Sequence, residues 1–357
     1  MRIAILWTKL SGYLNACLKA LANLPNVSLM VVNQQTSHDA PFDESQFAWM
    51  EPRYQWQNRV DSVVLSEKLN NFCPDVLLIS GWHIKGYRSI ARQFSGKALR
   101  VMAMDNQWRG TAKQWFGYLT APFFVQRLAD AVFLPGERQR VFAQKLGFKL
   151  DRILSGSLCC DHNQFAEYGN QRIKRKNSFV YVGRLSEEKG IKELIYAYDK
   201  YRKSIKLPWE LIIMGTGPLS SSVQGQNKVI YEGFVQPNEL PKLLAVHGCL
   251  ILPSLFEPWG VVLHEATSAR LPIIATDKVG ATVHLLQDGY NGYLVEAGNV
   301  ESLAGAMKRM STLSYEERYH MGENSHNLSL QYTPQRWATY FYEKIQILSE
   351  QLNISRN

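Results

Sequence analysis

The chain has 357 residues, a length that suits two domains better than one, and its 46% apolar content is ordinary for a globular protein. No apolar run approaches the roughly 20 residues needed to cross a bilayer. Five cysteines without a CxxC pair argue against a zinc site or a disulfide framework and fit thiols in a reducing cytosol. The net charge of +9 is uneven. Residues 1–165 carry 19 Lys+Arg against 12 Asp+Glu, a difference of +7, and residues 166–357 carry 21 against 19, a difference of +2. A basic first half suits an anionic surface, an acidic acceptor or nucleic acid, or serves only solubility.

Apolar runs alternate with helical patterns from end to end. Residues 1–7 are too short a block for a signal peptide and read as a buried first strand. Strands are predicted at 2–7, 28–32, 76–80, 99–104 and 131–134, with helices at 14–24 and 62–72 between them. The pattern lapses over 155–177, where Arg172, Lys174, Arg175 and Lys176 cluster. It restarts with strands at 179–182, 210–214, 228–231, 249–252, 272–275 and 293–295. Helices are predicted at 191–202, 238–245, 261–269, 300–310 and 334–352. Val/Ile/Leu-rich strands separated by helices imply parallel sheets covered on both faces. The expected organisation is an N-terminal Rossmann-like domain over 1–160, a linker over 161–177 and a second Rossmann-like domain over 178–332. A C-terminal helix over 333–357 is expected to return to the first domain.

The chemistry-bearing stretches follow predicted strands, where ligands of such sheets gather. In the first half, Thr8-Lys9-Leu10-Ser11-Gly12 leaves strand one, and Gly12 is expected to face the cleft between the domains. His83 follows the strand at 76–80 and Asp105 the strand at 99–104. Each reads as an acceptor-side polar group or general base, or as a structural side chain. The stretch from Arg109 to Leu119 mixes basic and aromatic residues. It either packs its Trp and Phe into the core, the plainer reading, or rests on a membrane interface.

In the second half, Gly183-Arg184-Leu185-Ser186-Glu187-Glu188-Lys189-Gly190 joins a strand to a helix. Arg184 and Lys189 suit a diphosphate through charge-assisted hydrogen bonds, or else the loop is a charged turn capped by Ser186. Gly215-Thr216-Gly217-Pro218 permits a tight turn near a nucleoside. Gly280 lets the backbone approach a sugar or simply turns. Asp288-Gly289-Tyr290-Asn291-Gly292 reads as a hairpin-type turn. Glu257 and Glu265 lie eight residues apart, on a loop and one turn into the following helix. That helix begins at Gly260 and Val261, and its free N–H groups suit a phosphate. The carboxylates would then grip sugar hydroxyls. His264 points to another helix face and reads as structural. There is no Asp-x-Asp, no metal-type His/Cys spacing and no GxSxG, HExxH or GxxxxGK[ST]. No signature of a nucleic-acid-binding fold appears either.

The block Gly183-Arg184-Leu185 … Lys189-Gly190, then Gly215-x-Gly217-Pro218, Gly233-Phe234-Val235 and Glu257-Pro258-Trp259-Gly260 … Glu265 resembles the family 4, "group 1" glycosyltransferases of GT-B fold. The resemblance covers about residues 178–310. It implies a cleft between two doubly wound α/β domains and retaining, metal-independent transfer of a sugar from a nucleoside-diphosphate-sugar. No cofactor other than that donor substrate is implied. Carried over, Glu257 grips sugar hydroxyls, Glu265 the ribose, and Arg184 and Lys189 the diphosphate. Gly183, Gly215, Gly260, Val261 and Gly12 line the donor. The first half departs from the pattern: one glycine, Gly12, stands where a pair is usual, and Asp105-Asn106 replaces the usual histidine. His83 resembles another histidine position of the family, and it joins Glu257 and Asp105 as the catalytic candidates. The expected partners are the nucleotide-sugar, a glycan or lipid-linked acceptor in cell-surface polysaccharide or glycoconjugate assembly, and an anionic membrane surface, but no nucleic acid. The expected location is cytoplasmic, peripheral to the inner face of the membrane. The alternatives are a nucleotide-sugar epimerase of the same fold and a non-catalytic anionic-surface binder. Release of nucleoside diphosphate only when acceptor is present separates a transferase from an epimerase.

Overall fold

The computed structural model describes residues 1–35, 44–170 and 175–353. Contacts divide the chain into two units, Met1–Cys159 with Pro334–Asn357, and Cys160–Thr333. The first unit holds strands β1 Arg2–Leu6, β2 Ser28–Gln34, β3 Arg53–Trp56, β4 Val76–Ser80, β5 Leu99–Ala103, β6 Ala131–Leu134 and β7 Ile153–Ser155. They form one sheet in the order β3-β2-β1-β4-β5-β6-β7, with every pairing parallel. The second unit holds β8 Ser178–Val182, β9 Glu210–Met214, β10 Val229–Gly233, β11 Cys249–Leu252, β12 Ile273–Thr276 and β13 Gly292–Val295. Their order is β10-β9-β8-β11-β12-β13, again all parallel.

Both sheets therefore reverse their strand order once, between β1 and β4 and between β8 and β11. Central strands such as β6 and β11 are buried along their whole length, which their apolar runs require when helices cover both faces. Several helices start where a polar side chain satisfies free N–H groups. Asp61 accepts from Val63 and Val64 at the start of Ser62–Phe72, and Asn299 accepts from Ser302 at the start of Val300–Thr312. Helix Tyr315–Ser329, not predicted, opens on a capping box between Ser314 and Glu317.

The helix Pro334–Gln351 belongs to the first unit. Trp337, Phe341, Ile345 and Leu348 are buried in its core. The Phe341 ring stacks on Phe133 of β6 at 5.1 Å, and the Trp337 indole donates to the Ser157 carbonyl at 3.2 Å.

Several expectations need correction. Residues 161–177 are not all linker: His162–Gly169 is a helix of the second unit, capped by Asp161. Arg172 and Lys174 lie outside the described residues. The turn from Asp288 to Gly292 joins no hairpin, because β13 runs parallel to β12. Edge strands β3 and β7 escaped prediction, being short and, for β3, largely polar. Among the described residues no helix is long and apolar enough to cross a membrane.

Candidate functional site

Two loops of the second unit leave β8 and β11, the strands that flank its point of reversal. Crevices at such points are where open α/β sheets hold ligands. The first loop runs from Gly183 to Gly190, the second from Pro253 to Gly260. They are bound together by backbone, since Leu255 and Phe256 both donate to the Glu188 carbonyl at 2.9 and 3.2 Å. Gly190 makes this possible. Its φ is +70°, and a Cβ there would lie 2.1 Å from the Pro253 carbonyl oxygen. Gly215 does the same for the loop after β9: its Cβ would meet the Gly183 oxygen at 1.9 Å. Gly215 therefore serves the approach of two backbones. A third loop closes the other side, with the Glu257 backbone N–H donating to the Lys278 carbonyl at 3.2 Å and the Gly280 N–H donating to the Glu257 carbonyl at 3.0 Å.

This scaffold brings Lys189 and Glu257 into an ion pair, with side chains only 15% and 12% exposed. Arg184 pairs with Glu188 at 3.2 Å on the surface, where such a pair contributes little and leaves the guanidinium free to turn. The helix Val261–Ser268 starts at Gly260, in the left-handed conformation at φ +91° and without a side-chain cap. Its first N–H groups, Val261 and Val262, have no partner one turn earlier. Glu265 sits one turn in, half-buried, and burial pushes its carboxyl up to about 7. Its neighbour His264 is buried and accepts from the Cys160 N–H at 3.1 Å, a structural role, with burial pushing its imidazole down to about 3. Tyr181 of β8 donates to the Arg184 carbonyl at 2.8 Å and steadies the turn beneath Arg184.

The first unit has its own site at the β1/β4 reversal. A cavity of about 260 Å³ is lined by residues that include Trp7, Tyr13, Ser80, His83, Asp105 and Asn106. Thr8, just past β1, shares hydrogen bonds with Ser80 at 3.0 Å and with His83 Nε2 at 3.1 Å. Asp105 is exposed at the mouth, its carbonyl accepting from Gln139 at 3.2 Å. Gly12 is the first residue of helix Gly12–Ala22, behind a Ser11 cap, and does not line the cavity.

The structure thus gathers Gly183, Arg184, Lys189, Gly215, Glu257, Gly260, Val261 and Glu265 around one end of the second sheet. It gathers His83 and Asp105 around one end of the first. Tyr13 and Tyr181 were not singled out by sequence. Tyr181 had a signal, a phenol in an otherwise apolar strand, whereas Tyr13 lies beyond the predicted loop. Among the described residues no group of three or more His, Cys, Asp or Glu could hold a metal ion.

Comparison with known proteins bears on the family and the fold. A glycosyltransferase of Methanocaldococcus jannaschii, itself uncharacterized, is 30% identical over 138 residues, 37% of this chain and 35% of the relative. An alpha-D-kanosaminyltransferase of Streptomyces kanamyceticus is 28% identical over 153 residues, 41% of this chain and 39% of the relative. The matched part of the chain thus spans well under half the length of either relative. The crystal structure of Anabaena HepE in complex with UDP superposes with a TM-score of 0.74 at 16% identity, covering 97% of this chain and 100% of that one. That likeness concerns the fold, which is GT-B: two Rossmann-like parallel-sheet units of 7 and 6 strands. Residues 164–328, which include both site loops of the second unit, match the family described as glycosyl transferases group 1.

Proposed function

We propose that the chain is a retaining, metal-independent family 4 glycosyltransferase. It moves a hexosyl group from a nucleoside-diphosphate-sugar to a glycan or lipid-linked acceptor in cell-surface polysaccharide or glycoconjugate assembly. The observation that carries this reading is the convergence of Arg184, Lys189, Glu257, Glu265 and a bare helix N-terminus at the β8/β11 reversal. The HepE complex with UDP favours uridine as the base.

Chemically, the departing diphosphate needs fixed positive charge. Lys189 has three donors, so it can keep Glu257 and offer the others to phosphate. Arg184 and the N–H groups of Val261 and Val262 add to that field. Glu257, oriented by Lys189, accepts from sugar hydroxyls, and Glu265 from the ribose. Retention follows if the acceptor oxygen attacks the face that the phosphate leaves. The bond from the anomeric carbon to the phosphate oxygen breaks, the bond to the acceptor oxygen forms, and the acceptor proton passes to the leaving phosphate. His83 and Asp105 serve the acceptor side in the first unit.

Calorimetric titration with UDP tests the assignment. Lys189→Ala weakens UDP by about 1.5–3 kcal/mol, the range for a hydrogen bond to a charged group. Glu265→Ala also weakens it. Glu257→Ala spares UDP, since it releases Lys189, yet cripples transfer. His83→Ala impairs transfer and leaves UDP binding intact. Transfer persists in excess EDTA. A wild-type protein that binds no nucleoside diphosphate would overturn the reading, and activity lost to EDTA and restored by magnesium or manganese would overturn metal independence.

A further inference from the structure

We propose that the helix Ala112–Thr120, with the turn Ala121–Phe123 that follows it, is a docking surface for an anionic lipid bilayer. The plainer reading of this stretch was a helix packed into the core. The structure departs from it, because no residue of the helix is buried. Phe116, Leu119 and Phe123 are 69%, 68% and 72% exposed, and their spacing puts them along one side of the segment. Isolated exposed apolar residues are normal, but three bulky ones side by side call for a partner.

The other edge of the helix explains why it keeps its shape without burial. Trp115 packs edge-on against Trp108 at 5.2 Å and against Tyr118 at 5.8 Å. The Lys145 ammonium lies 4.6 Å from the Trp108 ring, 5.3 Å from Trp115 and 5.7 Å from Tyr118. This cation–π cluster fastens the helix by its aromatic edge and leaves the Phe116–Leu119–Phe123 side uncovered.

Charge selects the partner. Residues 106–129 include Arg109, Lys113 and Arg127 and contain no Asp or Glu. An apolar edge flanked by cations and by Trp and Tyr is the composition of a helix lying in a bilayer interface, its apolar side among acyl chains and its cations among acidic headgroups. A second copy of the chain fits less well. Two-fold pairing of this face would bring its cations toward their own duplicates, and residues 106–129 have no carboxylate of their own to offset them.

Co-sedimentation of the full chain with vesicles tests this without donor or acceptor, so the outcome is independent of the transfer reaction. The protein should bind vesicles of phosphatidylcholine mixed with phosphatidylglycerol, bind phosphatidylcholine alone far more weakly, and lose affinity as salt rises. The triple variant Phe116→Ser, Leu119→Ser, Phe123→Ser should bind mixed vesicles at least roughly tenfold more weakly while melting at the wild-type temperature. Charge reversal at Arg109→Glu with Lys113→Glu should weaken binding at low salt and hardly change it at high salt. Absence of binding to the mixed vesicles, or equal binding by wild type and both variants, overturns the proposal. So does self-association of the vesicle-free protein that the triple variant abolishes, which would assign the face to a second copy.

Discussion

At the scale of single residues, Glu265 is the most telling. Its carboxyl is raised from 4.5 to about 7 by burial alone. A raised carboxyl pKa favours the protonated form in the fold. Its contribution is therefore complete below pH 4.5 and is lost as pH climbs through about 7. Gln at this position stays neutral at every pH. Glu265→Gln should thus match the wild type in acid and exceed it in stability above pH 7, by on the order of 1–3 kcal/mol. Urea titrations at pH 5 and pH 8 measure this, and an equal difference at both would refute it. The buried histidines act in the opposite direction. Burial pushes His162 and His247 down to about 4 and His264 to about 3, so their contribution is whole above pH 6.5 and lost as pH falls below it. Comparing variant with wild type at each pH cancels that common slope. Perturbed carboxyls gather at functional sites, which accords with the ribose contact proposed for Glu265.

At the scale of elements, the site depends on backbones that touch. Gly190→Ala drives a methyl into the Pro253 carbonyl in a left-handed conformation. It should cost about 2–4 kcal/mol and loosen UDP binding by shifting the loop Gly183–Gly190 that carries Arg184 and Lys189. Gly225 has a similar φ of +73° but open space around it. Gly225→Ala should cost only about 1 kcal/mol and spare UDP, and calorimetry on the pair separates strain from collision. These contacts mark the limit of what was legible beforehand. Strand-to-helix loops ending in Gly183–Gly190 and Glu257–Glu265 were readable because their residue types are chemically unusual in sequence. That Lys189 would pair with Glu257, 68 residues away, was not, since it follows from which strands become neighbours in the sheet. The core strands were readable from aliphatic runs. The edge strand β3, half exposed, carries no such run. Helix Ala112–Thr120 misled because its aromatics look like core residues, and sequence does not say which side of a helix is left uncovered.

At the scale of the whole molecule, the first unit is assembled from two stretches of chain separated by the entire second unit. Trp337, Phe341, Ile345 and Leu348 are each at most 5% exposed. At roughly 1.5–3 kcal/mol per large apolar side chain, the four together rival the ~5–15 kcal/mol stability of a typical domain. A chain ending at Thr333 should therefore bind a hydrophobic dye and precipitate, whereas residues 160–333 alone should unfold cooperatively. A soluble, dye-silent truncation would show that the helix is dispensable. The same feature sets an order of events during synthesis. The second unit is contiguous and can close as soon as it has emerged from the ribosome. The first, though translated earlier, waits with Phe133 uncovered until the helix Pro334–Gln351 is made. For that interval the nascent chain carries a finished domain behind an unfinished one, and chaperones that hold exposed apolar sheet faces are the factors on which its yield in the cell should depend.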